Sequence, residues 1–268
     1  MGGLFMKYLQ EIGTITNKTE IAQGIYDVIL YCPKIADIAL PGQFINILCS
    51  CYTLRRPISI CGIDKEDGCI RIVFEIRGQG TDWLATLDIG DKMDITGPLG
   101  HGFTIDNNKR TILIGGGIGV PPLLSIARHT GKNTTALLGF RSKDNEILIR
   151  DFIGYGSKVM VATDDGSDGY HGFVTALLER LLFEQLLNEK QPRYDIIQAC
   201  GPRPMLKITA AIAEKYNIKC EVSLEERMAC GIGACLVCAC KTKDKSGEEH
   251  YLHVCKNGPV FDAKEVVW

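Results

Sequence analysis

Between about residue 10 and residue 100, short apolar or alternating runs follow one another, separated by turn residues. The strand-like runs are Gly24–Cys32, Gln43–Cys49, Pro57–Ile63, Cys69–Ile76 and Lys92–Gly97. Many short strands at regular spacing predict a small antiparallel β-barrel rather than a parallel sheet. One helix-like piece, over 81–87, interrupts the pattern.

From about residue 110, continuous apolar strands alternate with helical segments. The strands are Arg110–Ile114, Thr134–Phe140, Ser157–Thr163 and Asp195–Cys200, and the helices include Val174–Leu187 and Met205–Tyr216. This alternation predicts a parallel α/β sheet covered on both faces. A third segment is rich in cysteine and glycine. We therefore expect three domains, namely a barrel over 1–106, an α/β domain over 107–222 and a small domain over 223–268.

Composition and charge exclude several classes of function. The formal net charge is −2, so no basic surface for nucleic acid or for a membrane is indicated. No apolar run approaches the roughly 20 residues that span a bilayer. The N-terminus shows no secretory signal, and Met6 stands where a myristoylation signal has Ser or Thr. We expect a cytoplasmic protein.

Twelve cysteines are unevenly distributed along the chain. In a cytoplasmic protein thiols stay reduced, so disulfides are not expected. Five cysteines lie scattered among the barrel strands, where a free thiol packs as a small hydrophobic group. These are Cys32, Cys49, Cys51, Cys61 and Cys69.

A second group of cysteines has the spacing C-x4-C-x2-C followed by a distant fourth cysteine, which is typical of plant-type [2Fe-2S] sites. Gly231 and Gly233 in the x4 loop let the backbone wrap closely around a cluster. A structural zinc site is the alternative, but it more usually has paired C-x2-C knuckles. Cys240 is expected to pack. The predicted ligands are Cys230, Cys235, Cys238 and Cys255.

An R-P-x-S run, Arg56 to Ser59, falls inside a predicted barrel strand. An arginine can hold a pyrophosphate while serine and backbone groups face a flavin edge. Gly78–Thr81 supports the interpretation of this run as part of a flavin site, because glycines before a helix expose N–H donors to a phosphate. Val73, Phe74 and Glu75 would flank the same ligand. A tight turn with a Thr N-cap is the alternative for Gly78–Thr81.

A glycine run, Gly115–Gly119, follows the first strand of the α/β half, and Val120 occupies the place of the third glycine of a dinucleotide fingerprint. Other candidate groups stand at the C-terminal ends of later strands, where open α/β sheets bind ligands. Arg141 and Asp164 are among these groups. Together with the glycine run, the groups favour nicotinamide binding. The candidate contacts are Gly116, Gly117, Gly119, Cys200 and Gly201. The five histidines form no convincing metal-ligand pair, and no Ser–His–Asp order or paired-carboxylate arrangement stands out for hydrolysis.

The order of these motifs resembles the ferredoxin-reductase family of flavoproteins. With the run Glu225–Cys235 and the tail Asn257–Asp262, the chain looks like the electron-transfer subunits of NAD-dependent (class 1B) dihydroorotate dehydrogenases. The resemblance implies an FAD-binding barrel, an NAD-binding α/β domain and a [2Fe-2S] domain. By resemblance, FAD contacts are Arg56, Pro57, Ile58, Ser59, Val73, Phe74, Glu75, Gly80 and Thr81.

The resemblance also implies a partner, an FMN-containing catalytic subunit that oxidises dihydroorotate. Electrons would then pass through [2Fe-2S] and FAD to NAD⁺, in a heterotetramer of two catalytic and two electron-transfer subunits that serves pyrimidine (UMP) biosynthesis. A related NAD(P)H-dependent reductase subunit acting on ferredoxin or sulfide is the near alternative. Those relatives tend to carry an aspartate at the first cluster position, whereas this chain has Cys230. A non-catalytic zinc-binding regulatory module is the alternative from another class.

Overall fold

The computed structural model describes residues 8–50, 52–189 and 194–268, and it divides into two compact units. The first unit comprises the chain up to Gly102 together with Glu225–Cys240 and Tyr251–Pro259. The second comprises Phe103–Leu224, Lys241–His250 and Val260–Trp268. Among the described helices, none combines the length and apolarity that crossing a membrane requires.

The first unit contains a closed barrel of six antiparallel strands in the order β1-β2-β5-β4-β3-β6. Its strands are β1 (Leu9–Ala22), β2 (Ile25–Tyr31), β3 (Phe44–Ile47), β4 (Arg56–Asp64), β5 (Cys69–Glu75) and β6 (Lys92–Leu99). Helix α1 (Pro33–Ile38) follows β2, and helix α2 (Gln79–Thr86) follows β5. The predicted antiparallel barrel is confirmed.

The barrel interior is filled by the inward positions of the strands. Isoleucines and leucines dominate this core, and Phe74 is its largest fully buried side chain. Along β3, Ile45 and Ile47 belong to the core. Because side chains alternate across a strand, Phe44 and Asn46 take the outer face. The long strand β1 was not named from the sequence, since only Gly13 and Ile15 are buried along it and no apolar run marks it.

The second unit contains a seven-stranded sheet in the order β10-β9-β8-β7-β11-β12-β15. Every neighbouring pair is parallel except β12–β15, which is antiparallel. Its strands are β7 (Thr111–Gly116), β8 (Thr134–Phe140), β9 (Lys158–Thr163), β10 (Tyr170–His171), β11 (Ile196–Cys200), β12 (Lys219–Ser223) and β15 (Val260–Asp262). Outside this sheet, β13 (Ala239–Lys243) and β14 (Glu249–His253) form a separate two-stranded sheet.

Four helices accompany the parallel sheet, namely α3 (Pro121–Thr130), α4 (Ile149–Gly154), α5 (Val174–Glu189) and α6 (Arg203–Lys215). All seven residues of β8 are buried, as a parallel strand covered on both faces requires. Helix α3 begins with two prolines, which suit a first helical turn because their missing N–H has no intrahelical partner there. The predicted parallel α/β sheet is confirmed, with β15 as an added antiparallel edge.

The scattered cysteines of the barrel are mostly buried. Burial raises the pKa of Cys32 to about 12 and that of Cys49 to about 11, which leaves both thiols protonated and unreactive at neutral pH. Cys61 is buried and Cys69 is half-buried. Cys51 lies outside the described residues.

One buried carboxylate ties the start of the second unit to its sheet. Glu221 on β12 is 6% exposed and accepts hydrogen bonds from the backbone N–H of Thr104 (2.9 Å), Gln198 Nε2 (2.9 Å) and Lys219 Nζ (2.7 Å). Burial alone would raise its pKa, but the bonds from Lys219, Thr104 and Gln198 outweigh burial and lower it.

We expect Glu221→Gln to lower the free energy of unfolding by about 1–3 kcal/mol, because the new amide N–H would face donors rather than acceptors. The folded-state pKa is depressed, so the contribution of Glu221 is present above the unfolded pKa of about 4.3 and is lost as pH falls through the folded value. Urea unfolding at pH 7 and at pH 3 measures both effects. Glu214→Gln on the exposed face of α6 is the control, and equal losses in the two variants would contradict the prediction.

Candidate functional site

The loop after Cys230 directs its backbone N–H groups at sulfur atoms. Ile232 and Ala234 donate to Cys230 Sγ (3.4 and 3.3 Å), and Gly233 donates to Cys255 Sγ (3.1 Å). The N–H of Cys230 itself donates to Cys235 Sγ at 3.5 Å. Such donors stabilise thiolates and the sulfides of an anionic cluster, so the loop fits a [2Fe-2S] group.

The four predicted ligand cysteines come together as two pairs. Cys230 is hydrogen-bonded to Cys235, and Cys238 to Cys255. Burial opposes ionisation of Cys230, but the Ile232 N–H and its other donors prevail and lower its pKa to about 7. Burial and the neighbouring Cys238 raise the pKa of Cys255 to about 12. Two pairs of thiols match two irons, each of which takes two protein ligands.

A site for a single metal ion, such as the alternative zinc site, differs from these two pairs of thiols. Within the described part of the chain, no group of three or more His, Cys, Asp or Glu side chains is placed to hold one metal ion. Cys240, the spare cysteine, is buried at 3% exposure, as its predicted packing role requires.

Two glycines give the cluster loop its shape. Gly231 and Gly233 have φ of +73° and +83°, a region that side chains disfavour. A Cβ at Gly233 would lie 2.8 Å from Lys256 Cδ, and a Cβ at Gly231 would overlap the Asn46 side chain. Both positions therefore favour glycine for conformation, and at Gly231 the buried Asn46 side chain also leaves no space for a Cβ.

Arg56, the first residue of the R-P-x-S motif, and Arg55, which precedes it, have different environments. Arg55 forms an ion pair with Asp94 (2.9 Å) and donates to the Asp94 carbonyl oxygen (3.0 Å). Arg56 lies over the Tyr52 ring, with 5.7 Å from Cζ to the ring centroid. Its guanidinium packs against Gly80, where any Cβ would overlap Nε. Arg55 thus fixes the local structure, and Arg56 lies at the first turn of α2.

A guanidinium beside a helix N-terminus concentrates positive potential, because the first N–H groups of the helix point the same way. This arrangement fits an anion such as the pyrophosphate of FAD. Helix α2 begins at Gln79 and not near Asp82, so Thr81 is inside the helix and is not its N-cap. The Thr81 hydroxyl accepts from the N–H groups of Arg77 (2.8 Å) and Gly78 (3.2 Å) and closes the turn.

The other predicted flavin contacts differ in which face they present. Pro57 and Ser59 pair with Asn46 and Phe44 across β3–β4, so their side chains share the outer face of the barrel. Ile58 packs against the barrel core. Val73 is 4% exposed, and Glu75 is half-buried and paired with Arg77.

The side chain of Phe74 belongs to the barrel core and stacks on Tyr26, with 5.6 Å between the ring centroids. Phe74 can therefore meet a ligand through its backbone only.

The predicted nucleotide groups meet at the C-terminal ends of strands in the parallel sheet. Strands β7 and β11 are neighbours, with Gly115 opposite Cys200. A Cβ at Gly119 would overlap the Cys200 carbonyl oxygen, and one at Gly116 would lie 2.7 Å from Met205 Sδ. Gly117, with φ +53°, is exposed in the turn before α3. The glycines thus allow the β7–α3 turn to lie directly against the segment Cys200–Gly201.

Arg141 and Asp164 follow β8 and β9 at the same end of the sheet. The N–H of Asp164 donates to the Phe140 carbonyl (3.0 Å), and the N–H of Asp165 donates to the Arg141 carbonyl (3.2 Å). Both loops are therefore held by their backbones, while the Arg141 side chain is exposed.

Two residues near these sites were not predicted from the sequence. Tyr52 lies under Arg56, and Asn46 lies against Gly231. A tyrosine four residues before an R-P motif and a lone asparagine in an apolar run carry no spacing signal. Asn46 reaches the site on β3 of the barrel, and Tyr52 does so from the segment between β3 and β4.

A family model and several known proteins are similar to this chain. The model of the iron-sulfur cluster binding domain of dihydroorotate dehydrogenase B matches residues 225–267. The electron transfer subunit of dihydroorotate dehydrogenase B (NAD(+)) from Caldanaerobacter subterraneus subsp. tengcongensis is 43% identical over 230 residues, which cover 85% of this chain and 87% of that protein. The corresponding subunit from Geobacillus kaustophilus is 39% identical over 264 residues, covering 95% and 97%.

Solved structures are similar as well. An NADH-dependent reduced ferredoxin-NADP oxidoreductase superposes with a TM-score of 0.83 at 31% identity, covering 100% of this chain and 92% of that one. The ferredoxin reductase of carbazole 1,9a-dioxygenase superposes with a TM-score of 0.68 at 22% identity, covering 80% and 67%, and shows likeness of fold alone.

Cys238→Ala is expected to remove the iron and acid-labile sulfide of one [2Fe-2S] cluster, because one iron loses a ligand. Cys240→Ala, the matched control two residues away, is expected to retain both. Chemical analysis of iron, sulfide and zinc after anaerobic purification measures the outcome. Zinc without sulfide in the native chain would contradict the prediction, as would equal iron loss in both variants.

Gly119→Ala is expected to slow NADH-dependent reduction of the chain's flavin by about 10²-fold, because the methyl group displaces the glycine turn from Cys200. Stopped-flow reduction at increasing NADH concentration measures the change. The control is Gly154→Ala at the end of α4, where an added Cβ meets no atom within 4 Å. An unchanged rate in Gly119→Ala would refute the placement of the nucleotide at this turn.

Proposed function

Because the chain belongs to the family of dihydroorotate dehydrogenase B electron-transfer subunits, we propose that it carries electrons from a dihydroorotate-oxidising catalytic subunit through [2Fe-2S] and FAD to NAD⁺. It is an FAD- and iron-sulfur-dependent oxidoreductase subunit. The observation that carries the proposal is the cluster loop, in which four backbone N–H groups donate to the sulfur atoms of three of the four candidate ligands, Cys230, Cys235 and Cys255. FAD supplies the conversion between single electrons and a hydride.

The finer parts of the proposal concern the assembly. The catalytic partner contains FMN, the complex has two catalytic and two electron-transfer subunits, and it acts in the cytoplasm in pyrimidine biosynthesis. The domains are an FAD-binding barrel over 1–106, an NAD-binding domain over 107–222 and a cluster domain over 223–268. The names of the curated relatives support the existence of a catalytic partner.

The proposed roles of the residues follow from their chemistry. Arg56 and the first turn of α2, with Gly80 and Thr81, bind the FAD pyrophosphate, while Pro57 to Ser59 and Val73 to Glu75 line the flavin. The contacts of Gly80 with Arg56 support this assignment. Gly116, Gly117, Gly119, Cys200 and Gly201 bind NAD at the β7 and β11 ends. Cys230, Cys235, Cys238 and Cys255 hold the cluster.

A second candidate function is that of a reductase subunit for ferredoxin. The 31% identity and full coverage of this chain by an NADH-dependent reduced ferredoxin-NADP oxidoreductase favour it. Against it stands Cys230, since the family resemblance implies an aspartate at this position in reductase subunits for ferredoxin or sulfide. The 43% identity to a dihydroorotate dehydrogenase B subunit also favours the first function.

Reconstitution distinguishes the two functions. The isolated chain is expected to show flavin and [2Fe-2S] absorption that NADH bleaches and that dihydroorotate leaves unchanged. After addition of an FMN-containing dihydroorotate dehydrogenase subunit, dihydroorotate is expected to drive NADH formation. The measurement is absorbance at 340 nm under anaerobic conditions.

The control is the same mixture with the Cys238→Ala variant, which should lose transfer to NAD⁺. Electron transfer to ferredoxin without any response to dihydroorotate would contradict the proposal. Parallel assays with NADPH test the cofactor, and a preference for NADPH would refute the assignment of NAD.

A further inference from the structure

One polar side chain of the barrel is completely buried and lacks a partner among the described residues. Asn46 is 0% exposed, and neither its Nδ2 nor its Oδ1 accepts or donates a hydrogen bond there. Burying an amide without hydrogen bonds is unfavourable, and most buried polar atoms of native proteins have a partner. The amide therefore requires a partner that protein groups of the described chain do not supply.

The position of Asn46 is fixed by its backbone. Asn46 lies on β3 between Pro57 of β4 and Thr96 of β6, so it is paired on both sides. Its carbonyl oxygen also accepts from Arg55 Nη1 (3.3 Å), and Arg55 is held by Asp94. Since Ile45 and Ile47 face the barrel interior, the Asn46 amide must point outward.

On that outer face the amide meets the cluster loop. A Cβ at Gly231 would overlap Asn46 Nδ2, and Leu99 Cδ1 would lie 3.4 Å from that Cβ. Gly231 lies between Cys230 and Ile232, whose N–H groups already donate to cysteine sulfur atoms. The Asn46 amide thus packs against the loop whose N–H groups donate to the cysteine sulfur atoms.

We infer that Asn46 Nδ2 donates a hydrogen bond to a sulfur atom of the [2Fe-2S] cluster beside Gly231 and thereby raises the reduction potential of the cluster. The inference rests on the proposed function, which supplies the cluster. Reduction adds one negative charge to a group already made anionic by four thiolates. An N–H donor stabilises the more negative form more strongly, so it favours reduction.

The flavin is the other acceptor within the same region. Pro57 is the direct cross-strand neighbour of Asn46, and its side chain shares the outer face. The cluster is favoured because Asn46 contacts Gly231 itself, and the loop backbone there is bent by a φ of +73°. If the amide donates to the cluster, removing it shifts the reduction potential of the cluster. If it donates to the flavin, removing it shifts the potential of the flavin, so measuring both potentials distinguishes the two acceptors.

The test is Asn46→Leu, which keeps the number and branching of the side-chain heavy atoms and removes the donor. In the chain loaded with both cofactors, EPR-monitored redox titration is expected to show a lower cluster midpoint. A tenfold lower ratio of reduced to oxidised cluster corresponds to about 59 mV for a one-electron couple. The flavin midpoint, followed by absorbance, should stay unchanged. Pulsed EPR of the reduced cluster should lose one proton coupling that exchanges in D₂O.

Thr96→Val is the matched control, because Thr96 is the neighbour of Asn46 on β6 and also changes from polar to apolar. It should leave both midpoints unchanged. An equal shift in Thr96→Val would assign the effect to packing of this face and overturn the inference. If Asn46→Leu does not take up cofactors, Asn46→Ser replaces it, since serine ends one atom short of Nδ2 and should also lower the midpoint.

A folded variant with an unchanged cluster midpoint overturns the inference. A shifted flavin midpoint with an unchanged cluster does so too, and assigns the amide to the flavin. A wild-type chain without a [2Fe-2S] signal contradicts the proposed function itself. A wild-type signal that neither variant shifts contradicts the role of Asn46 alone.

Discussion

The hydrogen bonds from backbone N–H groups to cysteine sulfur are the interaction on which the site depends. Four N–H groups within Cys230–Ala234 donate to thiols. They can converge only because Gly231 and Gly233 adopt positive φ, which turns successive peptide groups toward one side. A loop committed to this geometry cannot satisfy its donors with regular secondary structure. It therefore depends on sulfur acceptors and on the barrel surface beside it.

Close approach of a group to a glycine recurs at each of the candidate sites. Arg56 lies on Gly80 at the start of α2, the Cys200 carbonyl lies on Gly119 after β7, and Asn46 lies on Gly231. In each case a Cβ atom would occupy the place of a polar group. The glycines therefore act by leaving space, in addition to any freedom of φ. The polar group beside each glycine comes from a distant part of the sequence. Contacts between such distant segments therefore decide where the motif residues lie.

Elements with a strong local sequence pattern were predicted correctly, whereas elements with a weak pattern were missed or misplaced. Apolar strands such as β8 and the cysteine spacing were evident, because buried strands and ligand loops impose their own residue types. Strand β1 was missed since most of its positions are exposed or half-buried, and a barrel strand needs only its inward residues to be apolar. Strand β15 was also missed. Its three residues are too few to show a period, and it exists because β12 offers an edge. The start of α2 was predicted two or three residues late, because its first turn, Gln79–Thr81, contains glycine and threonine and no apolar periodicity.

The sequence by itself determined the two fold types and predicted the candidate ligands of the cluster and the glycine loops, because each depends on residue type at fixed local spacing. The tertiary structure alone decided that Arg55 pairs with Asp94 from another strand, whereas Arg56 lies against Gly80 in the first turn of α2. It also decided that the Phe74 side chain fills the barrel, and that an asparagine from β3 reaches the cluster loop. These outcomes depend on strand register and on which face each side chain takes. Both are set only when the barrel closes and one face of each strand is committed to the core.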